Sequence, residues 1–157
     1  MLRAGLIVLL VLTAGCSASN GPDEEPRDLQ VERISSDAPG EGPQQPQAVV
    51  ATSAAALSEA IGANVPNSGG GTYLAAYWGE KPTGGYSMSV RSARLEGSRV
   101  EIQLSLKEPP RDAILTQALT YPYAVAVIRD LSPEGKDFSL VDENGRELDW
   151  PVRRAGG

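Results

Sequence analysis

Three hydrophobic patterns follow one another along this chain, and each predicts a different environment. Short unbroken apolar runs occur at Ala48-Val49-Val50-Ala51, at Tyr73 to Trp78 and at Tyr123 to Ile128. Runs of this length, bounded by turn residues, predict strands covered on both faces or held centrally in a sheet. Elsewhere the period is two. Tyr86, Met88 and Val90 alternate with Ser87, Ser89 and Arg91, and Val100, Ile102, Leu104 and Leu106 alternate with Glu101, Gln103, Ser105 and Lys107. That alternation predicts strands with one face on a core and one in water. Only Ala54 to Ile61 has a helical spacing: Leu57 and Ile61 fall on one face, Thr52 or Ser53 can cap the start, and Gly62 suits the stop.

Turn residues punctuate these segments. Pro66 and Ser68-Gly69-Gly70-Gly71 predict a flexible turn before Tyr73, and Glu96-Gly97-Ser98 predicts a hairpin between the two alternating strands. Pro109-Pro110 ends the second of them. Arg111 to Leu119 fits either a helical turn or an extended crossover. Phe138 to Trp150 predicts a closing hairpin around Asn144-Gly145, with Glu143 facing Arg146 and Val141 facing Leu148. The fold class expected is mainly β, a compact antiparallel sheet or sandwich-like domain with one short N-terminal α-helix.

The first residues read differently. Arg3 precedes an apolar run from Leu6 to Leu12, far shorter than the roughly 20 residues a spanning helix needs. Residues 1–15 are therefore expected to be a signal peptide. Leu12-Thr13-Ala14-Gly15-Cys16 resembles the lipobox of bacterial lipoproteins, and Cys16 is the only cysteine in the chain. The resemblance implies a diacylglycerol and an N-acyl chain on Cys16. It also implies an exported domain anchored through that residue to the bilayer of the cell membrane or outer membrane. From Cys16, proline, glycine and acidic side chains predict a disordered acidic tether over 16–28, or over 16–46 with a weak strand at 29–34 set inside it. The domain is expected over 29–150, followed by a disordered tail at 151–157.

Composition narrows the chemistry. With 14 Lys+Arg against 20 Asp+Glu, the 157-residue chain carries a net charge of −6 and no basic block, so a nucleic-acid partner is not expected. The absence of histidine excludes Ser-His-Asp, Cys-His and His-metal chemistry. A single cysteine excludes an intramolecular disulfide and a cysteine cluster for metal. No metal or cofactor is expected. Ser132 and Lys136 lack the S-x-x-K spacing, and nothing singles out Glu80, Glu108, Asp130 or Asp137 as an acid–base pair. Asp142-Glu143-Asn144-Gly145 holds too little of a calcium-loop series. No enzymatic activity is expected.

The most distinctive local sequence is Gly79-Glu80-Lys81-Pro82-Thr83-Gly84-Gly85-Tyr86, between two strands. It reads either as a plain hairpin turn or as a contact loop presented by the strands below. Proline fixes one φ angle, and Gly84-Gly85 permits positive φ and close backbone approach. Together with Gln117-Ala118-Leu119-Thr120-Tyr121-Pro122-Tyr123 ahead of an apolar strand, this sequence resembles the C-terminal domain of PrcB-type lipoproteins, over roughly 29–130. The resemblance implies a non-catalytic accessory domain that supports or stabilises an exported protease by protein contact. The contact residues it suggests are Lys81, Pro82, Thr83, Gly84, Gly85 and Tyr86, with Tyr121 and Tyr123. A looser similarity joins Pro82-Thr83-Gly84-Gly85-Tyr86 to one loop of chagasin-type cysteine-protease inhibitors, whose glycine loop follows rather than precedes it. A structural envelope role without a dedicated ligand is the third reading. Tyr73, Tyr77 and Trp78 are expected in the core, whereas Tyr121 and Tyr123 fit equally a core cover or an exposed anchor.

Overall fold

The computed structural model describes residues 25–34 and 41–156. Cys16 and the leader at 1–15 lie outside the described residues. The described residues fold into two five-stranded sheets and one helix. Strands β1 (Arg27–Leu29), β5 (Ser87–Glu96), β6 (Arg99–Lys107), β8 (Asp137–Val141) and β9 (Glu147–Leu148) form the first sheet, in the order β1-β5-β6-β8-β9. Strands β2 (Val31–Ile34), β3 (Gln47–Ala51), β4 (Thr72–Tyr77), β7 (Tyr123–Ile128) and β10 (Val152–Ala155) form the second, in the order β10-β3-β4-β7-β2. Helix α1 spans Ala54–Ile61.

The layering explains the hydrophobic patterns. Val90, Ala93, Leu95, Val100, Ile102, Leu104 and Leu140 of the first sheet pack on Ala48, Val50, Leu74, Ala76, Ala126 and Ile128 of the second. The other face of the second sheet is also covered: Val49, Ala51, Tyr73, Ala75, Val125 and Val127 pack with Ala54 and Leu57 of α1. A sheet buried on both faces needs apolar side chains at every position, hence the unbroken runs in β3, β4 and β7. The first sheet turns its outer face to water, hence the alternation in β6. On α1, the Ser53 side chain accepts from the Ala56 N–H at 3.2 Å, and Gly62 closes the helix at φ 66°.

Several features depart from the sequence expectation. Each sheet contains one parallel pair, β6 with β8 and β3 with β10. Val152–Ala155, expected as a disordered tail, is the edge strand β10, in register from Val152 opposite Ala48 to Ala155 opposite Ala51. Its four residues are too few to display a period. Folded structure also begins earlier than expected, because Arg27 and Asp28 of the predicted tether pair with Leu95 and Arg94. The weak strand at 29–34 divides at Gln30, where the chain leaves the first sheet for the second.

A bulge between Val90 and Ser92 reverses the inward parity of β5, so that Met88 and Val90 face in before it, and Ala93 and Leu95 after it. At the last hairpin, Val141 opposes Glu147 rather than Leu148. Here the Asp142 carboxylate outcompetes a two-residue turn. It accepts from the Asn144 and Arg146 N–H groups, each at 2.9 Å, and Gly145 N–H bonds the Asp142 carbonyl at 3.0 Å with φ 77° at the glycine. Arg111 to Leu119 forms no helix: it opens on a turn closed by Ala113 N–H on the Pro110 carbonyl at 3.1 Å and then crosses toward β7 without regular structure.

Candidate functional site

The loop from Gly79 to Tyr86 is not a hairpin. It connects β4 in one sheet to β5 in the other, so neither strand closes the loop by pairing with its neighbour in sequence. Its support comes from the loop that precedes β7. Lys81 N–H bonds the Thr120 carbonyl at 2.8 Å and Thr120 N–H bonds the Lys81 carbonyl at 2.9 Å, an isolated antiparallel bridge. The Thr120 hydroxyl donates to the Thr83 carbonyl at 2.8 Å, and Gly84 N–H donates to the Thr116 carbonyl at 3.1 Å. Glu80 N–H bonds the Gln44 carbonyl at 3.0 Å, which draws residues 41–46 of the expected tether extension into the fold.

Two glycines explain why the loop can lie so close. Gly79 has φ 79°, and a Cβ there would stand 2.7 Å from the Gln44 carbonyl oxygen. Gly85 has φ 87°, and its Cβ would stand 2.8 Å from Pro109 Cβ and 3.0 Å from Leu115 Cδ2. Gly84, expected to share that role, meets nothing nearer than 3.7 Å and needs no unusual backbone.

The side chains form one cluster. Trp78 and Tyr86 meet edge to face with ring centroids 5.6 Å apart, and the Lys81 Nζ lies 4.6 Å from the Trp78 centroid and 5.7 Å from that of Tyr86. Burial against the rings holds the Lys81 ammonium below the ordinary lysine pKa, with Glu108 pulling the other way. Beside them the Tyr121 hydroxyl donates to Glu80 Oε2 at 2.9 Å, and this bond raises the phenol's pKa. Tyr123 stacks on Tyr77 at 6.1 Å. A shallow depression of about 270 Å³ is lined by Gly85, Tyr86, Thr120, Tyr121 and Tyr123 among others.

The structure thus gathers the residues singled out from sequence: Lys81, Thr83, Gly84, Gly85 and Tyr86 on one loop, Tyr121 and Tyr123 on the other, with Pro82 exposed at the tip. Trp78, expected in the core beside Tyr73 and Tyr77, is half-buried and belongs to this cluster. Ile114 and Leu119 were not anticipated. They are the exposed large hydrophobic residues of the described chain, and Ile114 has no contact that shields it from water. Their stretch is tied to the first loop by the bracing through Thr116 and Thr120 and by Leu115 against Gly85, which no local pattern announces.

Both loops fall inside one block of the chain. Residues 72–129 match the PrcB C-terminal family model. The family resemblance carried by Gly79 to Tyr86 and by Gln117 to Tyr123 is shown over that span, which runs from β4 to the residue after β7. No curated protein and no solved structure matches the chain. The PrcB C-terminal match points to a protein associated with a protease complex. Among the described residues, no group of three or more Asp, Glu, His or Cys is placed to hold a metal, and no helix is long and apolar enough to cross a membrane.

The chagasin-like similarity finds a different arrangement. Gly69-Gly70-Gly71 precedes β4 and Gly79 follows it, so the two glycine-rich loops stand at opposite ends of a six-residue strand, roughly 20 Å apart.

Proposed function

We propose that this protein is a non-catalytic, protein-binding accessory subunit, anchored outside the cytoplasm through lipidated Cys16, and that it supports an exported protease complex by contact through its two braced loops. The observation that carries this reading is the pairing of a rigid platform with exposed apolar side chains. The Lys81–Thr120 bridge ties the two loops together, and the second of them carries the exposed Ile114 and Leu119. Exposed apolar side chains gain by leaving water on binding, and aromatic rings already held by their neighbours, as Trp78, Tyr86 and Tyr121 are, lose little side-chain freedom, which favours protein recognition. The PrcB C-terminal match supports a protease complex as the class of partner, and the lipobox-like sequence ending at Cys16 supports the location.

Affinity capture of the tagged full-length protein from native membranes, followed by mass spectrometry, tests the reading. The comparison is an Ile114→Asp, Leu119→Asp variant, since both side chains face water and the fold should survive the change. A protease-complex component enriched with the parent and lost with the variant is expected. Equal recovery with both would remove the contact surface, and no specific recovery with either would remove the accessory role.

A further inference from the structure

The five-stranded first sheet has an unusual free margin. Strand β1 covers β5 only from Ala93 to Leu95, because the chain crosses to the second sheet after Leu29. From Ser87 to Val90 the outer flank of β5 has no strand partner among the described residues. An unpaired flank displays N–H and C=O groups that can template another strand, and folded proteins ordinarily blunt such edges with charge, proline or short length. The other edges here follow that rule. Strands β1, β2, β9 and β10 are two to four residues long and carry Arg27 and Asp28, Glu32 and Arg33, Glu147, and Arg153 and Arg154. Ser87-Met88-Ser89-Val90 has no charge and no proline.

This flank borders a groove of about 310 Å³ between β5 and the second sheet, lined by Met88, Ser89 and Val90 on one side and by Arg33, Ile34 and Val125 on the other. Among the described residues Arg33 is the one charged residue in that lining, and no described ion pair involves it. The groove shares Met88 and Tyr123 with the depression beside Tyr86 and Tyr121, so it continues the two-loop surface.

We propose that the β5 flank Ser87–Val90 takes an extended segment of the partner protein as an added strand, with apolar side chains entering the groove and a carboxylate meeting Arg33. Backbone pairing would supply affinity, and the groove with Arg33 would supply selectivity. This rests on the protein-binding reading and specifies how part of the partner is held.

The test uses the full-length protein in detergent and a phage-displayed library of random peptides, followed by amide hydrogen exchange with the enriched peptides. Enrichment of sequences alternating apolar residues with an acidic one is expected. Affinity should fall about tenfold or more in Arg33→Glu, and exchange should slow selectively at Ser87 to Val90. Three results would overturn the proposal: no enriched peptide, enriched peptides that leave unchanged the amides pointing away from β6, or those outward amides already protected in the free protein by its own chain or by a second copy. A partner captured from membranes without protection of this flank would preserve the accessory reading and remove strand addition alone.

Discussion

Lys81 and Thr120 exchange both of their backbone hydrogen bonds, at 2.8 and 2.9 Å, although each lies in a loop. This pairing, rather than a hairpin, holds the Gly79–Tyr86 loop in place. The Thr120 side chain extends the same brace by donating to the Thr83 carbonyl.

Replacing Thr120 by valine keeps the shape and removes that donor. A net cost of about 1 kcal/mol is expected, read as a lower urea midpoint with an unchanged slope. Thr116 contributes only its carbonyl to the brace, so Thr116→Val should stay within about 0.5 kcal/mol of the parent. Equal effects of the two would contradict the assignment.

The neighbouring glycines should respond unequally. Gly85→Ala combines positive φ with a Cβ pressed on Pro109 and Leu115, and a cost of about 1–3 kcal/mol is expected. Gly84→Ala, whose Cβ would meet only Thr116 at an ordinary contact distance of 3.7 Å, should change stability by less than about 0.5 kcal/mol. Thermal unfolding of the two variants decides between this picture and one in which both glycines are required.

Sequence made the strands legible wherever their surroundings imposed a pattern. Burial of the second sheet between the first sheet and α1 forces the unbroken apolar runs of β3, β4 and β7, and the water-facing side of β6 forces its alternation. Pairing partners carry no such local mark. Nothing in Val152–Ala155 announces a parallel neighbour at β3, and nothing in Gly79–Tyr86 announces that its strands belong to different sheets. The candidate site followed the same division. The loop residues stood out through Pro82, Gly84, Gly85 and Tyr86, while Ile114 and Leu119 became visible only once the Thr120 bridge brought their loop alongside. Trp78 continued an apolar run and so looked like core, yet it lies one residue past the strand and turns toward Tyr86.

Asp142 gives the fold an acid-sensitive contact. Its carboxylate is buried, and hydrogen bonds from the Arg146 and Asn144 backbone, with the Arg146 charge, hold its pKa below the ordinary value of 3.8. The unfolded chain therefore takes up this proton first as pH falls. The stabilisation is complete above that ordinary value and is lost as pH drops through the lower folded one. The urea-midpoint difference between the parent and Asp142→Ala should be largest near neutrality and shrink on acidification. A difference independent of pH would show that the carboxylate's charge is not what stabilises the turn.

The Lys81 ammonium sits over Trp78, so Lys81→Met should alter Trp78 fluorescence in a Trp150→Phe background. Stability should change by no more than about 1 kcal/mol, because partly exposed cation–π contacts are weak. Unaltered emission would place the ammonium away from the ring in solution.

In the proposed function, two loops braced by Lys81 and Thr120 act as a single protein-contact surface. Amide hydrogen exchange of the complex recovered from membranes, compared with the free protein, addresses it most directly. Slower exchange is expected in peptides covering both 79–86 and 111–121, with little change at the Gly69–Gly71 end of β4. Protection of neither loop, in a complex that remains assembled, would contradict the account.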